Sequence, residues 1–460
     1  MRRIPQAFLD RMRALPDFDC AAFERALQEE PRRGLRVNTL KISAAEFAAL
    51  SPFALTPSPL CPEGFLIDAE APAGKHPYHA AGLYYLQEPS AQSAVTALDP
   101  APGSRVLDLC AAPGGKAAHA AARIAPEGLL VANECVPNRA RTLSFNLERM
   151  GVRRCAVTTV MPEALVKACP GWFDAVIADV PCSGEGMFRR EPQALEEWSL
   201  SHAAACAERG KKILADAAAL VRPGGTLLFS TCTFNPDENE GAVEFLLRQR
   251  PDFEVLSIDA VRLPPARPDW AGARPELARA ARLMLTDAPG EGHFIARLRR
   301  TDGETPAEPP ACGLKAPKKE EQAAFEALWR DTFREAPFGT LCVTPKGEIF
   351  LVPEGLPALP GLLRAGVHAG TLKTGRSLRF EPSHTLFMAM PAAAACRSVC
   401  FEPEDPALAA FFAGETLQVP EDAGYAAVCV RAGEGAYPVG MGKVSGGQLK
   451  NHLPTGLRVR

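Results

Sequence analysis

A regular alternation of apolar runs and helical segments between residues 105 and 241 constrains the fold of this chain most strongly. The apolar runs are short and almost uninterrupted, as is typical of parallel strands whose two faces are both covered. Their alternation with helices predicts an α/β fold with a doubly wound, Rossmann-like sheet. We predict strands over residues 105–109, 129–132, 155–160, 173–178, 226–229 and 293–298, and helices over 115–124, 138–150, 202–221 and from an Asn235 N-cap onward.

Two motifs directly follow strands of this predicted sheet. Asp179 and Cys182 lie in Asp-Val-Pro-Cys-Ser-Gly at 179–184, and Cys232 lies in Ser-Thr-Cys-Thr at 230–233. Ligands of open α/β sheets bind beyond the carboxyl ends of the strands, which share one edge of the sheet. The sequence therefore predicts one pocket that holds two thiols and one carboxylate.

Composition limits the class of protein without identifying it. With 460 residues and 47% apolar content, the chain can form two to four domains with their own cores. No stretch approaches the ~18 unbroken apolar residues of a membrane span, so we expect a soluble cytoplasmic protein without membrane contact. Most of the 14 cysteines are expected to be reduced, buried thiols. A net charge of −3 argues against non-specific coating of nucleic acid, but it allows a local basic surface.

Shifts in composition predict five segments. Residues 32–41 form a basic stretch around an apolar centre, and its simplest interpretation is a solvated edge strand. Pro, Glu, Lys and Ala dominate residues 301–319, which have little to bury and are typical of a linker. We predict an N-terminal α+β domain at 1–75, the doubly wound domain at 76–300, the linker at 301–319, an α+β extension at 320–388 and a β-rich module at 389–460.

The turn between the first predicted strand and helix is suited to bind a nucleoside. Residues 108–116 read Asp-Leu-Cys-Ala-Ala-Pro-Gly-Gly-Lys, and glycines there let a ligand approach the backbone at a helix N-terminus. The turn has neither the dinucleotide-binding spacing nor the phosphate-loop ending. Glu134 ends the second strand, where a carboxylate can accept hydrogen bonds from ribose hydroxyls. A nucleoside-containing cofactor without a large phosphate group fits best.

These motifs together resemble the NOL1/NOP2/Sun family of RNA (cytosine-5) methyltransferases, which use S-adenosylmethionine. The resemblance rests on residues 110–116, Glu134, 179–184 and 230–233, and it extends over about 30–300. In the C-terminal third, Gly375, Arg376 and residues 380–384 resemble the extension of the bacterial RsmF-like subgroup, which methylates small-subunit ribosomal RNA. The last module of that subgroup is similar to a PUA domain, an RNA-binding fold, and its first domain implies RNA recognition at the N-terminus.

The resemblance implies catalytic roles for three residues. Cys232 corresponds to the nucleophile, Cys182 to the cysteine that helps resolve the covalent adduct, and Asp179 to the carboxylate that holds the cytosine. The chemistry requires such groups, because carbon 5 becomes nucleophilic only after a thiolate attacks carbon 6. The adduct must then lose the carbon-5 proton and expel the thiol, which calls for a second acid/base group.

The resemblance also implies a cofactor site for S-adenosylmethionine. Lys116 is expected to orient the site or the cofactor, and Arg139 to lie near the ribose, although either could be a solvated helix residue. The residues expected to bind the cofactor are Cys110, Ala111, Ala112, Pro113, Gly114, Gly115, Lys116, Glu134, Arg139 and Asp179.

The chain departs from the family pattern at two places. Met161 stands where the family usually has an aspartate near the adenine, so we expect weaker or differently organised cofactor binding. Glu163 or a backbone carbonyl could replace the carboxylate. Residues 283–286 read Leu-Met-Leu-Thr where family members often have an aromatic-Pro-His segment that can face substrate.

Several alternatives remain open for the function. The leading hypothesis is methylation of 16S ribosomal RNA or the small subunit by a monomer without a metal. A transfer-RNA substrate is a close alternative, and a catalytically idle RNA-binding or ribosome-assembly factor is a third. A DNA cytosine-5 methyltransferase would use its Pro-Cys cysteine as nucleophile, which Cys232 and the basic N-terminal stretch oppose. His76, His79 and His202 are expected to be structural.

Overall fold

The computed structural model describes residues 4–287, 289–304, 306–375 and 377–459. Arg376, which contributed to the resemblance of the C-terminal third, lies outside these ranges. Within them, the strands form four sheets. None of the helices so described is long and apolar enough to span a bilayer.

The N-terminal part consists of short helices around a small antiparallel sheet. Its elements are α1 (Gln6–Arg13), α2 (Cys20–Ala26), α3 (Ala44–Leu50), α4 (Pro77–Ala80), β1 (Arg33–Val37), β2 (Thr56–Pro57), β3 (Gly64–Ile67) and β4 (Tyr84–Leu86). The strand order is β2-β3-β1-β4. The expectation of a solvated edge strand at 32–41 is wrong, because β1 pairs with a strand on both sides. Arg36 on β1 is consequently buried, and it donates a hydrogen bond to Oε1 of Gln87.

The central part contains the large sheet and the helices that cover it. Its strands are β5 (Arg105–Asp108), β6 (Leu129–Asn133), β7 (Cys155–Thr158), β8 (Phe173–Asp179), β9 (Val221–Thr231), β10 (Phe253–Leu256), β11 (Ala281–Leu283) and β12 (His293–Arg300). Its helices are α5 (Ser93–Leu98), α6 (Gly115–Ile124), α7 (Pro137–Arg149), α8 (Pro162–Ala168), α9 (Pro192–Glu197), α10 (Leu200–Leu220) and α11 (Glu240–Gln249). The strand order is β10-β12-β9-β8-β5-β6-β7, and β11 pairs with β12.

The middle of this sheet is parallel and buried on both faces. Strands β9, β8, β5, β6 and β7 run parallel, whereas β12 is antiparallel to β9. Val176 and Ala178 of β8 pack into the core on one face, and Ala175 and Ile177 pack into the core on the other. Burial of both faces explains the nearly uninterrupted apolar runs of the sequence.

One helix begins later than predicted. The expected start at Asn235 is wrong, because residues 236–239 form a turn and α11 begins at Glu240. Asn235 instead closes a local turn: its Oδ1 accepts from the Asp237 backbone N–H, and its Nδ2 donates to Oε1 of Glu238. Asparagine side chains favour such local bonds, which compete with helix formation.

The C-terminal part contains two further sheets. Its elements are α12 (Lys319–Thr332), β13 (Thr340–Val343), β14 (Glu348–Val352), β15 (Leu362–Ala365), β16 (Val367–Lys373), β17 (Arg379–Pro382), α13 (His384–Ala389), β18 (Ser398–Phe401), α14 (Pro406–Ala413), β19 (Leu417–Gln418), β20 (Gly424–Ala432), β21 (Gly435–Ser445) and β22 (Gln448–Asn451). One sheet has the order β13-β14-β16-β17, and the other has the order β18-β20-β21-β22-β19.

Strand β15 belongs to the central sheet and not to the sheet that contains β14 and β16, the strands before and after it in the chain. It pairs antiparallel with β7, with Leu362 opposite Thr158 and Ala365 opposite Ala156. Arg364 fixes this junction, because its buried guanidinium donates from Nη2 to the Val152 carbonyl at 2.9 Å. The extension predicted at 320–388 therefore supplies the last strand of the central sheet.

The segment predicted as a linker packs against the central part. The Trp172 indole donates from Nε1 to Oε2 of Glu308 at 2.6 Å. Cys312 and Leu314 contact the same core as β8. The expectation that residues 301–319 bury little is nevertheless confirmed, because none of the residues described there is fully buried and Cys312 and Leu314 are only partly so.

Candidate active site

The two motif cysteines meet at the carboxyl edge of the central sheet. Cys182 follows β8 and Cys232 follows β9, and these strands are hydrogen-bonded neighbours. The two Sγ atoms lie 3.4 Å apart, and both side chains are partly accessible. The two thiols predicted to lie at one edge of the sheet are therefore in direct sulfur contact.

The environment of Cys182 keeps its proton in place. The hydrogen bond with Cys232 and burial raise the pKa of Cys182 well above its ordinary value, and the charge of Glu238 acts in the same direction. Cys182 is consequently a thiol at neutral pH. A thiol in this position can give its proton to the sulfur of Cys232.

Asp179 lies beside the thiols and has three polar neighbours. Lys116 donates from Nζ to Oδ2 at 2.8 Å, and Ser230 donates from its hydroxyl to Oδ1 at 2.7 Å. Nε2 of His293 lies 3.9 Å from Oδ1. Burial alone would raise the pKa of Asp179, but the charge of Lys116 and the hydrogen bonds from Lys116 and Ser230 outweigh it and lower that pKa. Asp179 is therefore a carboxylate.

Lys116 and His293 carry different charges beside this carboxylate. Burial acts to lower the pKa of Lys116, but the interaction with Asp179 prevails and raises it. Burial, followed by the charge of Lys116, lowers the pKa of His293 to about 3. At neutral pH the site therefore holds an ammonium group, a carboxylate and an uncharged imidazole.

A buried network joins the two cysteine loops. Glu238 accepts from the Ser183 backbone N–H at 2.8 Å and from its hydroxyl at 2.6 Å, and that hydroxyl lies 2.7 Å from Oγ1 of Thr233. Gly186 donates its N–H to the Cys232 carbonyl at 2.8 Å. A Cβ at Gly186 would lie 2.8 Å from that carbonyl oxygen, so a side chain there would push the loops apart.

The N-terminal helix α1 also contacts the loop that follows Cys182. Arg11 of α1 donates from Nη2 to both carboxylate oxygens of Glu185 at 2.7 Å. Glu185 is fully buried and also accepts from the Trp198 indole and from the Phe234 backbone N–H. The sequence analysis did not find this contact, because nothing local pairs an arginine with a glutamate 174 residues away.

The predicted cofactor loop forms a backbone cradle between β5 and α6. Gly114 has φ +113°, a conformation that other residues rarely adopt. Asn146 donates to the Pro113 carbonyl at 2.8 Å, and Arg139 donates to the Ala112 carbonyl at 3.2 Å. These bonds hold the loop open at the N-terminus of α6. Of its other members, Cys110 and Ala111 lie in the same turn, and Gly115 and Lys116 are the first two residues of α6.

Glu134 lies where the ribose-binding carboxylate is predicted. Its side chain follows β6 and is almost fully buried, and Oε1 accepts from the Val136 backbone N–H at 2.9 Å. Oε2 lies 3.3 Å from Nη1 of Arg139. The carboxylate is thus fixed at the same sheet edge as the cradle.

Asp108 is a site residue that the sequence analysis did not single out. It ends β5, is fully buried, and neither carboxylate oxygen has a hydrogen-bond partner. Burial, followed by the charge of Asp179, raises the pKa of Asp108 to about 8, so the group is protonated at neutral pH. Its position as the first residue of the glycine-rich turn is the sequence feature from which a role in this site could have been predicted. An unpaired, protonated carboxyl beside the cradle calls for a polar ligand that can pair with its O–H and its carbonyl oxygen.

Met161, one departure from the family pattern, follows β7 and is exposed.

Three potential metal ligands lie close together where the N-terminal part meets α6. Cys61, Glu63 and His119 hold potential ligand atoms within 4.8 Å of one another. Arg123 donates to Glu63 at 3.0 Å, so a guanidinium already occupies that carboxylate. The absence of a metal requirement stays a prediction.

Three family models match successive parts of the chain. They are the N-terminal domain of 16S rRNA methyltransferase RsmF over residues 4–89, the 16S rRNA methyltransferase RsmB/F over 95–299, and the methyltransferase RsmF PUA domain over 398–459. Ribosomal RNA small subunit methyltransferase F of Klebsiella pneumoniae (strain 342) is 34% identical over 98% of this chain and 95% of its own length. The chain belongs to the RsmB/F family of 16S rRNA methyltransferases.

Further relatives agree with this assignment. The protein of the same name from Escherichia coli (strain SE11) is 37% identical to this RsmB/F-family member over 78% of each chain. A solved methyltransferase homolog protein from Pyrococcus horikoshii is 29% identical, with a TM-score of 0.58 over 64% of this chain and 95% of its own. NSun6 from the same organism, solved with SFG, is 21% identical over 66% of this chain and 100% of its own, and its TM-score of 0.57 supports the fold alone.

These findings settle the predictions of family, fold class and enzyme class. The predicted family and RsmF-like subgroup are confirmed. The predicted Rossmann-like sheet with an N-terminal domain and a PUA-like C-terminal module is confirmed. This RsmB/F-family member is a methyltransferase.

Proposed function

We propose that this chain methylates carbon 5 of cytosine in 16S ribosomal RNA of the small subunit. The methyl donor is S-adenosylmethionine, and the reaction passes through a covalent bond between Cys232 and carbon 6. The observation that carries the proposal is the 3.4 Å contact between Cys182 and Cys232 beside the Asp179 carboxylate. Two thiols and a carboxylate are the groups that this addition–elimination chemistry needs.

The residues at the sheet edge fit S-adenosylmethionine. Residues 110–116 would cradle it, and Glu134 would accept hydrogen bonds from its ribose. The unpaired carboxyl of Asp108 would form a hydrogen bond with a polar group of the cofactor. When bound, the cofactor supplies an electrophilic methyl group. Arg139 pairs with Glu134 and would therefore orient the carboxylate towards the ribose.

The first step is the addition of Cys232 to the base. Its sulfur forms a bond to carbon 6 of cytosine as its thiol proton leaves. The electron pair of the C5–C6 double bond forms a C4–C5 double bond, and the C4–N3 pair moves to N3, which takes up that proton by way of Asp179. Asp179 can hold the protonated N3 and the amino group, because Lys116 and Ser230 keep the carboxylate charged and in place. Carbon 5 thereby becomes the nucleophile that takes the methyl group.

Cys182 acts in the elimination that follows. Carbon 5 loses its proton, the C5–C6 double bond re-forms, and the bond between carbon 6 and Cys232 breaks. The thiol of Cys182 gives its proton to the leaving sulfur, 3.4 Å away, and takes up the carbon-5 proton, while the N3 proton leaves through Asp179. The high pKa of Cys182 suits it to hold the proton until this step.

The ends of the chain supply the RNA contacts in this proposal. The N-terminal domain at 1–75 and the PUA-like module at 389–460 flank the methyltransferase domain at 76–300, and the segments at 301–319 and 320–388 connect them. Contact of Arg11 with Glu185 supports a direct link from the N-terminal part to the catalytic loop. We propose a cytoplasmic monomer that meets its RNA where ribosomal subunits are assembled.

The test compares three RNA substrates with purified protein and labelled S-adenosylmethionine. We expect 5-methylcytosine in 30S subunits or naked 16S RNA and none in bulk transfer RNA. Label only in transfer RNA would keep the chemistry and overturn the substrate. Binding of RNA without any methyl transfer would replace the proposal with an idle RNA-binding factor.

Replacing Lys116 with methionine is expected to shift the pH dependence of methyl transfer. Asp179 has a lowered pKa, so its charge is present at neutral pH and is lost as the pH falls through that pKa. Without the ammonium group, burial raises the pKa of Asp179, and the acid limb of the single-turnover rate should move upward by about one pH unit or more. The control Lys116→Arg keeps the charge and should keep the limb near its original pH. An acid limb that Lys116→Met leaves in place would contradict the role of Lys116.

A further inference from the structure

The carboxylate of Glu185 connects the two loops that carry the cysteines. Glu185 lies three residues after Cys182 in the chain. It accepts a hydrogen bond at 3.1 Å from the backbone N–H of Phe234, which lies two residues after Cys232. Glu185 is fully buried, so its carboxylate depends on protein groups for its hydrogen bonds. Its position therefore limits how far the two cysteine loops can separate.

The positive charge beside this carboxylate comes from the N-terminal helix α1. Nη2 of Arg11 lies 2.7 Å from each oxygen of Glu185, and the described residues provide no other ion pair to that carboxylate. A buried charge that loses its partner is left uncompensated, at a much larger cost than an exposed one. Without Arg11, the Glu185 carboxylate would move towards water and release the Phe234 N–H. The two cysteine loops would then lose the group that they share.

Aromatic contacts hold α1 and α2 against the same loops independently of this ion pair. Phe8 of α1 packs edge-on against Phe188, with ring centroids 5.1 Å apart. Phe23 of α2 packs in the same way against Phe234, with centroids 5.0 Å apart. These four rings belong to one buried cluster. Replacement of Arg11 should therefore remove the charge and leave the helix in place.

We infer that Arg11 is a positioning residue of the active site, which acts through Glu185 to keep the sulfurs of Cys182 and Cys232 in contact. The inference rests on the proposed function and deepens it, because the elimination step needs proton transfer between these two sulfurs. It makes the N-terminal domain part of the catalytic arrangement, in addition to its proposed contact with RNA. Loss of Arg11 should slow the elimination more than the addition, since only the elimination needs both sulfurs.

The rate of disulfide formation between Cys182 and Cys232 measures the separation of the sulfurs without RNA or cofactor. Diamide takes one hydrogen from each thiol, and the bond between the two sulfurs forms. Mass spectrometry of the digested protein quantifies this crosslink among the other cysteines. We expect Arg11→Met to slow its formation by about 10-fold or more, because a small displacement removes most of the advantage of proximity. An unchanged rate would overturn the inference.

Two further variants separate positioning from general damage. Arg13→Met removes another arginine of α1, which pairs with Glu24 on α2 and not with a cysteine loop, and it should keep the original rate. The double variant Arg11→Met/Glu185→Gln removes both charges, and its amide can still accept the Phe234 N–H. It should crosslink faster than Arg11→Met, which buries an unpaired carboxylate. Equal slowing in Arg13→Met, or no recovery in the double variant, would overturn the action of Arg11 through Glu185.

Turnover distinguishes the failure of this inference from the failure of the proposed function. With labelled S-adenosylmethionine and 16S RNA, Arg11→Met should bind RNA as the unmodified protein does and accumulate the covalent protein–RNA complex. Slower turnover without accumulated complex would show that the elimination does not depend on Arg11, contrary to the inference. Slowed crosslinking in Arg11→Met, together with no methyl transfer by the unmodified protein, would retain the control of the sulfurs by Arg11 and overturn the proposed function alone.

Discussion

Replacing Cys232 with alanine is expected to abolish methyl transfer and to prevent any covalent protein–RNA complex. The sulfur of Cys232 forms the bond to carbon 6, and without it carbon 5 stays part of a conjugated ring that does not attack the methyl donor. We expect the single-turnover rate to fall by at least about 1000-fold. Transfer from labelled S-adenosylmethionine to 16S RNA measures the rate, and a denaturing gel detects the complex.

The control for this variant is Cys396→Ala, which removes a partly accessible thiol outside the proposed active site. That variant should keep the full rate. RNA binding by Cys232→Ala should also persist, since the substitution removes one sulfur and leaves the proposed RNA-binding domains unchanged. A rate for Cys232→Ala within 10-fold of the unmodified protein would assign the nucleophile elsewhere.

Replacing Cys182 with alanine is expected to have a different result, the accumulation of protein covalently attached to RNA. Cys232 can still add to carbon 6 and the methyl group can still be transferred, but the thiol that protonates the leaving sulfur is gone. Multiple turnover should fall by roughly 100-fold or more, the usual contribution of a positioned acid/base group. The attached species should resist denaturation and carry one labelled methyl group.

Two controls separate this effect from general damage to the site. The double variant Cys182→Ala/Cys232→Ala should form no covalent species, because its nucleophile is absent. Cys182→Ser keeps a small polar group at the same place and should accumulate less adduct than alanine. Normal turnover by Cys182→Ala would show that another group resolves the adduct, and the 3.4 Å sulfur contact would lose its proposed role.

Local pattern was sufficient to predict the parts of the fold that local physics controls. Helix α6 begins and ends where predicted, because a glycine-rich turn precedes an alanine-rich run that has no competing bonds. The meeting of Cys182 and Cys232 was also predictable. Each follows a buried strand, and parallel strands end at a common edge.

Long-range contacts and competing side-chain bonds account for what the sequence analysis missed. The pairing of β15 with β7 joins residues about 200 positions apart, and the sequence of neither strand indicates which strand it pairs with. The helix predicted from Asn235 failed because that side chain bonds Asp237 and Glu238 instead of capping a helix. Asp108 is part of a motif that the sequence analysis quoted, but its unpaired oxygens are visible only once its burial is known.

The position of β15 has a consequence for the order in which this protein can assemble during synthesis. The strands from Arg105 to Arg300 leave the ribosome first, with the outer edge of β7 unpaired. Leu362–Ala365 follows several seconds later at synthesis rates of roughly 5–20 residues per second. Until then the nascent chain exposes a row of free backbone groups, which is a template for pairing with other chains. Once synthesised, the C-terminal extension covers this edge and so removes from the finished chain a row of backbone groups that could pair with other chains.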